Sequence, residues 1–359
     1  MTLLELAGVF ATDAVLKAVE KGIRAKGELT LAGLCGSAPA MLFSRLRKPG
    51  TPYVVVADDP DDAGYLYHDL SRLCPGGEEE VMFFPSGYRR DIKYGQPDPP
   101  AQILRTESLK AWHSGRIRFV VTCPEALAEK VPATESVERS CLTLKVGQDI
   151  PVRQVRERLL ELGFRQVDYV YEPGQFALRG SILDVYSYAC PAPYRIDFFD
   201  TEVDSIRNFD VETQLSTETP SEVTILPDMG ELEEDGGVPL PEFAGPETVW
   251  LCRDPKHLMA RIEAIASSTL AAQVDITGEG DADAMLKVVR PDAFRSLFEA
   301  SRRVVFTPKA DTEGPNVIRF STDPQALYHK NFDLIEGSFA RYAAEGYGIY
   351  LLSDSPTQA

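Results

Sequence analysis

Two stretches of the chain carry residue types at spacings that could do chemistry. The first is Gly33-Leu34-Cys35-Gly36-Ser37-Ala38-Pro39-Ala40. A working phosphate loop reads GxxGSGK[ST]. Its backbone amides cradle phosphate, its lysine reaches the outer oxygens, and its hydroxyl residue holds magnesium. Gly33, Gly36 and Ser37 keep that frame, but Pro39 stands at the lysine position and Ala40 at the hydroxyl position. Proline also lacks an amide hydrogen to donate. Cation, metal ligand and one amide are lost together, so the stretch reads as a glycine-rich turn not expected to bind nucleotide, and no catalytic residue is assigned.

The second stretch is Tyr194-Arg195-Ile196-Asp197-Phe198-Phe199. On a strand, alternate residues share a face. Tyr194, Ile196 and Phe198 then face a core, while Arg195, Asp197 and Phe199 face away from it. A face presenting guanidinium, carboxylate and aromatic ring is either solvated or a docking surface. In the first case an Arg195–Asp197 surface pair is worth at most about 1 kcal/mol. In the second, arginine and aromatic residues are the types that dominate interface energy, and Phe199 favours this reading. Arg195 and Phe199 are both expected at the surface, so that alanine there removes docking and spares the fold. Arg179 lies in the neighbouring strand, where Gly180 could mark a bulge or a close backbone approach.

Other chemistry is poorly supported. His68, His113, His257 and His329 are dispersed, with no HExxH pattern, and the six cysteines form no CxxC pair, so no metal site is expected. Reduced, structural thiols in a cytoplasm fit best. No apolar run approaches the roughly 20 residues that span a bilayer, and the first residues lack the basic and apolar regions of a signal peptide. With 37 Lys and Arg against 55 Asp and Glu, the net charge is −18, which disfavours a broad nucleic-acid-wrapping surface and leaves room for a local basic site.

The elements that must position these residues follow from periodicity. The chain's 359 residues suggest two or three domains. Val15, Ala18, Val19 and Ile23 mark an early helix that Gly27 can end. Strands are expected at residues 53–57, 81–85 and 117–121, with helical stretches between them, a pattern that points to a parallel α/β sheet. Residues 140–145 read as a connecting strand and residues 151–162 as an amphipathic helix with Val152, Val155, Leu159 and Leu162 on one face and Gly163 at its end. Hairpins follow. Residues 202–235 are strongly acidic, and residues 230–241 read as a solvated linker. Helices at 257–267 and 292–300 alternate with strands at 248–252, 303–307 and 348–353. A final strand with nothing after it suggests that the chain continues beyond Ala359 in a longer protein.

The block Gly174-Gln175-Phe176-Ala177-Leu178-Arg179-Gly180-Ser181-Ile182-Leu183-Asp184-Val185-Tyr186, followed by Arg195-Ile196-Asp197-Phe198-Phe199-Asp200 and then Ser205-Ile206-Arg207-Asn208-Phe209-Asp210, resembles the UvrB-like module of the bacterial transcription-repair coupling factors. The degenerate loop, residues 81–85 and residues 120–127 resemble the same module's first domain. The resemblance implies a degenerate P-loop-type (RecA-like) parallel-sheet domain at 1–141, an inserted α+β UvrA-binding domain at 142–228, and a second, closing α/β domain at 229–359. It implies UvrA as partner, with contacts on Arg179, Arg195 and Phe199 and with Asp197 in a matching polar slot. It also implies that the full family protein is an ATP-dependent DNA translocase that uses ATP and magnesium and engages RNA polymerase and double-stranded DNA, whereas this stretch is a non-catalytic, cofactor-free docking platform in transcription-coupled nucleotide excision repair. The alternative is a UvrB-like, nucleotide-dependent excision-repair subunit.

Overall fold

Short β-branched and aromatic runs become the strands of a computed structural model, which describes residues 2–25, 27–47, 50–88, 98–112, 114–188, 190–228, 237–277, 288–314, 316–329 and 331–351. In chain order these are β1 (Glu28–Ala32), β2 (Tyr53–Val56), β3 (Val81–Phe84), β4 (Phe119–Thr122), β5 (Leu142–Lys145), β6 (Arg165–Gln166), β7 (Gln175–Arg179), β8 (Ile182–Val185), β9 (Tyr194–Phe199), β10 (Glu202–Asn208), β11 (Glu222–Ile225), β12 (Val249–Cys252), β13 (Arg302–Thr307) and β14 (Val317–Arg319). Residues 1–321 and 322–359 are two separate units.

Seven strands form one sheet in the order β14-β1-β13-β12-β2-β4-β3, every neighbouring pair parallel. β2, β4 and β12 are buried at every residue, as expected of central parallel strands covered on both faces. Two aromatic contacts knit strand to helix and helix to helix: Trp250 of β12 meets Phe298 edge-on at 5.6 Å, and Trp112 meets Phe243 at 5.7 Å. The strands after residue 229, expected to belong to a closing domain of their own, are instead inserted into this sheet. β12 and β13 lie between β1 and β2. Strand order in a parallel sheet is decided by packing between elements far apart in the chain, which periodicity does not report.

Residues 142–225 form a second core. β5 and β11 pair antiparallel, so the chain enters and leaves this region side by side. Between them β10-β9-β8-β7-β6 form a five-stranded sheet, antiparallel except for β6 against β7. The helix Val152–Glu161 lies on one face. Its Val155 and Leu159 share a core with Phe176, Leu183, Ile196, Val203 and Ile206, all completely buried. Gly163, at φ +81°, closes that helix in the left-handed conformation that glycine adopts without strain.

Several expectations need correction. The early helix is two, Leu3–Phe10 and Asp13–Arg24, and the inward residues of the second are Leu16, Val19 and Ile23. Ala18 is exposed, because the buried stripe passes through Leu16 and Val19 and leaves position 18 on the outer side. Gly180 marks no bulge. It sits at φ +63° in the two-residue turn joining β7 to β8, and the irregularity falls in β10 between Val203 and Ser205. Of the expected linker, residues 230–236 lie outside the described residues. Its last part is packed rather than solvated: Val238 bridges to Val131, and Leu240 and Pro241 are buried in the helix Leu240–Ala244. In the second unit, Asn331 caps the helix Phe332–Ala344 by accepting from Leu334 N at 3.2 Å. No strand forms over residues 348–351, where Ile349, Tyr350 and Leu351 are exposed, and residues 352–353 lie outside the described residues. An apolar run becomes a strand only beside an edge that can pair with it.

Candidate protein-docking face

Register brings the docking residues together. β8 against β9 sets Asp184 opposite Arg195 and Ile182 opposite Asp197. β10 against β9 sets Arg207 opposite Arg195 and Ser205 opposite Asp197. β7 against β8 sets Ala177 opposite Asp184 and Arg179 opposite Ile182. Two cross-strand rows therefore run over the outer face, Ala177-Asp184-Arg195-Arg207 and Arg179-Ile182-Asp197-Ser205. The inner rows are the apolar core against the helix Val152–Glu161. Tyr194, Ile196 and Phe198 point inward, as the alternation requires.

The charges interlock rather than standing free. Asp184 is nearly inaccessible, with a side chain 2% exposed, and binds two arginines. Arg195 donates from Nε to Oδ1 at 2.7 Å and from Nη2 to Oδ2 at 2.9 Å, and Arg179 Nη2 donates to Oδ2. Arg195 Nη2 also donates to Gln214 Oε1 at 2.9 Å, and its guanidinium stacks 4.3 Å from the centre of the Phe209 ring. The hydrogen bonds to Asp184 raise the Arg195 pKa above its ordinary value against the opposing pull of desolvation. Arg179 Nη1 donates to the Asp168 carbonyl at 3.1 Å, with the guanidinium 5.2 Å from the centre of the Tyr169 ring. Asp197 accepts from Arg207 Nη2 and, at 3.2 Å, from Ser205 Oγ. Bidentate pairing such as that of Arg195 with Asp184 fixes guanidinium orientation as well as charge.

Phe199 stands apart. It is the last residue of β9, opposite Glu202 across a two-residue turn in which Asp200 takes φ +57°, a conformation aspartate tolerates. The residue is 77% exposed. Thus Arg179, Arg195, Asp197 and Phe199 do share one surface. The solvated-pair alternative and the expected free exposure of Arg195 both fail. Arg195 and Asp197 do not pair with each other, because residues two apart on a strand are farther apart than cross-strand neighbours. Arg195 is not a free surface residue either, since its side chain is only 18% exposed. Sequence reading assigned no role to Asp184, Arg207, Gln214 or Tyr169. The available signal was Asp184 itself, a carboxylate inside the apolar run Ile182-Leu183-Asp184-Val185.

The degenerate loop follows β1 and precedes the six-residue helix Ala38–Phe43. Gly33 is required: it takes φ +80°, and a Cβ there would fall 2.1 Å from the Phe320 carbonyl oxygen. Part of the loop's backbone is engaged within the fold or lacks a donor. Leu34 N donates to Thr307 O at 3.0 Å, Ala38 N donates to Cys35 O at 3.1 Å, and Pro39 has none. Pro39 and Ala40 are buried in the core. Among the described residues no cluster of His, Cys, Asp and Glu could hold a metal ion, and no helix is long and apolar enough to cross a membrane.

The chain is similar to several known proteins. The family described as UvrB interaction domain matches residues 142–230. The chain is 30% identical over 214 residues to the transcription-repair-coupling factor of Bacillus subtilis, covering 59% of this chain and 18% of that protein. It is 28% identical over 253 residues to the factor of Escherichia coli, covering 69% of this chain and 21% of that protein. A Staphylococcus aureus factor is 30% identical over 196 residues, 54% of this chain and 16% of that protein. The chain spans about a fifth of the length of these relatives. The chain is thus similar to the transcription-repair-coupling factors over about a fifth of their length, and its residues 142–230 match the UvrB interaction domain.

Proposed function

We propose that this chain is a docking platform that recruits UvrA, by way of the outer face of the five-stranded sheet, to RNA polymerase stalled at damage in transcription-coupled nucleotide excision repair. The observation that carries the reading is the outer face of the five-stranded sheet, where the exposed Phe199 shares the face of β9 with Arg195, whose guanidinium is held by Asp184. Phe199 supplies apolar area for a pocket on the partner. Arg179, Arg195 and Asp197 supply directional polar contacts around it. The longer protein would drive DNA translocation with ATP and magnesium in the cytoplasm and would engage RNA polymerase and double-stranded DNA through other parts. This chain would contribute no catalysis and bind no cofactor.

Titration of purified UvrA into the chain tests the reading. Saturable binding is expected, with Phe199→Ala removing it. Unchanged binding by that variant would move the docking site elsewhere. The competing reading, a nucleotide-dependent UvrB-like subunit, requires nucleotide at Gly33, Gly36 and Ser37. Calorimetry with ATP and magnesium is expected to give no heat, and saturable heat would overturn the docking-only reading.

A further inference from the structure

We infer that Asp184 is the positioning residue of the docking face: its buried carboxylate sets Arg179 and Arg195 in one fixed arrangement before any partner arrives. The inference rests on the proposed docking role of those arginines and goes beyond it by naming what organises them.

Asp184 is the point where two strands' charges converge. It lies on β8 between β7, which bears Arg179, and β9, which bears Arg195. Both of its oxygens are engaged, Oδ1 by Arg195 and Oδ2 by Arg195 and Arg179 together. A carboxylate 2% exposed, held in a sheet, cannot follow a moving guanidinium. The arginines are therefore held to it. Second supports complete each clamp: Gln214 and the Phe209 ring for Arg195, the Asp168 carbonyl and the Tyr169 ring for Arg179. The clamp leaves donors for a partner. Arg195 uses Nε and Nη2, while Nη1 donates to no described residue. A long side chain already immobilised loses little further freedom on binding, which favours affinity through slow dissociation.

The arrangement also selects the partner's chemistry. Three arginines, Arg179, Arg195 and Arg207, face two aspartates, Asp184 and Asp197, so the face has little excess charge. It suits a protein surface offering an apolar pocket for Phe199 and a carboxylate or carbonyl for Arg195 Nη1. It does not suit a polyphosphate backbone, whose binding scales with uncompensated positive charge.

The test compares UvrA binding to the whole chain and to its Asp184→Asn, Arg195→Ala, double and Phe199→Ala variants, with melting curves for each. Asparagine keeps the volume of Asp184 and removes its charge. Asp184→Asn is expected to weaken UvrA binding by about tenfold or more, mainly through faster dissociation. The loss caused by Arg195→Ala is expected to shrink in the Asp184→Asn background, because the two act as one unit. Full additivity, or unchanged binding by Asp184→Asn, would overturn the inference while a loss in Phe199→Ala keeps the docking reading standing. If Phe199→Ala and Arg195→Ala both bind normally, the docking reading itself fails. Should Asp184→Asn not fold, arginine-selective 15N relaxation on the unmodified chain decides: rigid Arg195 and Arg179 Nε–H groups before UvrA is added are expected, and rotational averaging that quenches only on binding would overturn the inference.

Discussion

Arg195 and Phe199 lie four residues apart on one strand face, yet they answer to different physics. Phe199 is solvated, so replacing it removes little that the folded chain uses. Phe199→Ala is expected to leave the stability measured by urea unfolding within about 0.5 kcal/mol of the parent and to cost UvrA binding about 2 kcal/mol or more. Arg195 is different because its loss strands a buried carboxylate. Arg195→Ala is expected to destabilise the domain by about 1–3 kcal/mol, with Arg179 retaining part of the compensation. Urea unfolding followed by far-UV circular dichroism separates the two, and equal stability of both variants would contradict the Asp184 contacts described above.

At the scale of elements, the contrast is between a domain that contains its own partners and one that does not. β5 and β11 are paired, and the core around Phe176 and Ile196 is built entirely from residues 142–225. A fragment of residues 140–228 is therefore expected to unfold cooperatively on heating. A fragment of residues 1–141 lacks β12, β13 and β14, which supply the neighbours on both sides of β1 and one side of β2. It is expected to show no cooperative transition. Scanning calorimetry of the two fragments checks this directly. The two fragments also locate what periodicity conveyed. The helix face Val155-Leu159-Leu162 and the alternation of β9 were legible because each depends on residues a few positions apart. The shared sheet was not, because β1 and β13 stand at opposite ends of the chain, with Glu28 paired to Arg303.

At the scale of the whole molecule, burial controls the response to alkali. Burial pushes the Cys74 thiol up to about 11 and the Cys123 thiol up to about 12. In the unfolded chain these thiols ionise at about pH 8.5. Their folded values are raised, so the stability tied to the protonated thiols is fully present below that pH and is lost as pH rises through the folded values. Unfolding free energy is expected to fall steadily above about pH 9, and Cys74→Ser with Cys123→Ser should flatten that fall. Iodoacetamide at about pH 8 is expected to spare Cys74 and Cys123 in the native chain and to modify both in urea, which mass spectrometry reads.

By itself the sequence determined which face of β9 and of the helix Val152–Glu161 points inward, because that follows from local alternation and side-chain polarity. It also determined that the loop at Gly33 has Pro39 and Ala40 where a working phosphate loop has its lysine and hydroxyl residue, which is a matter of residue identity alone. The tertiary structure alone decided which charges meet. Arg195 shares its face with Asp197 in sequence, but the register of β8 against β9 gives it to Asp184. Cross-strand neighbours sit closer than residues two apart on one strand, and the choice of neighbour is made by packing. The same reason placed β12 and β13 between β1 and β2 and made one sheet from two ends of the chain.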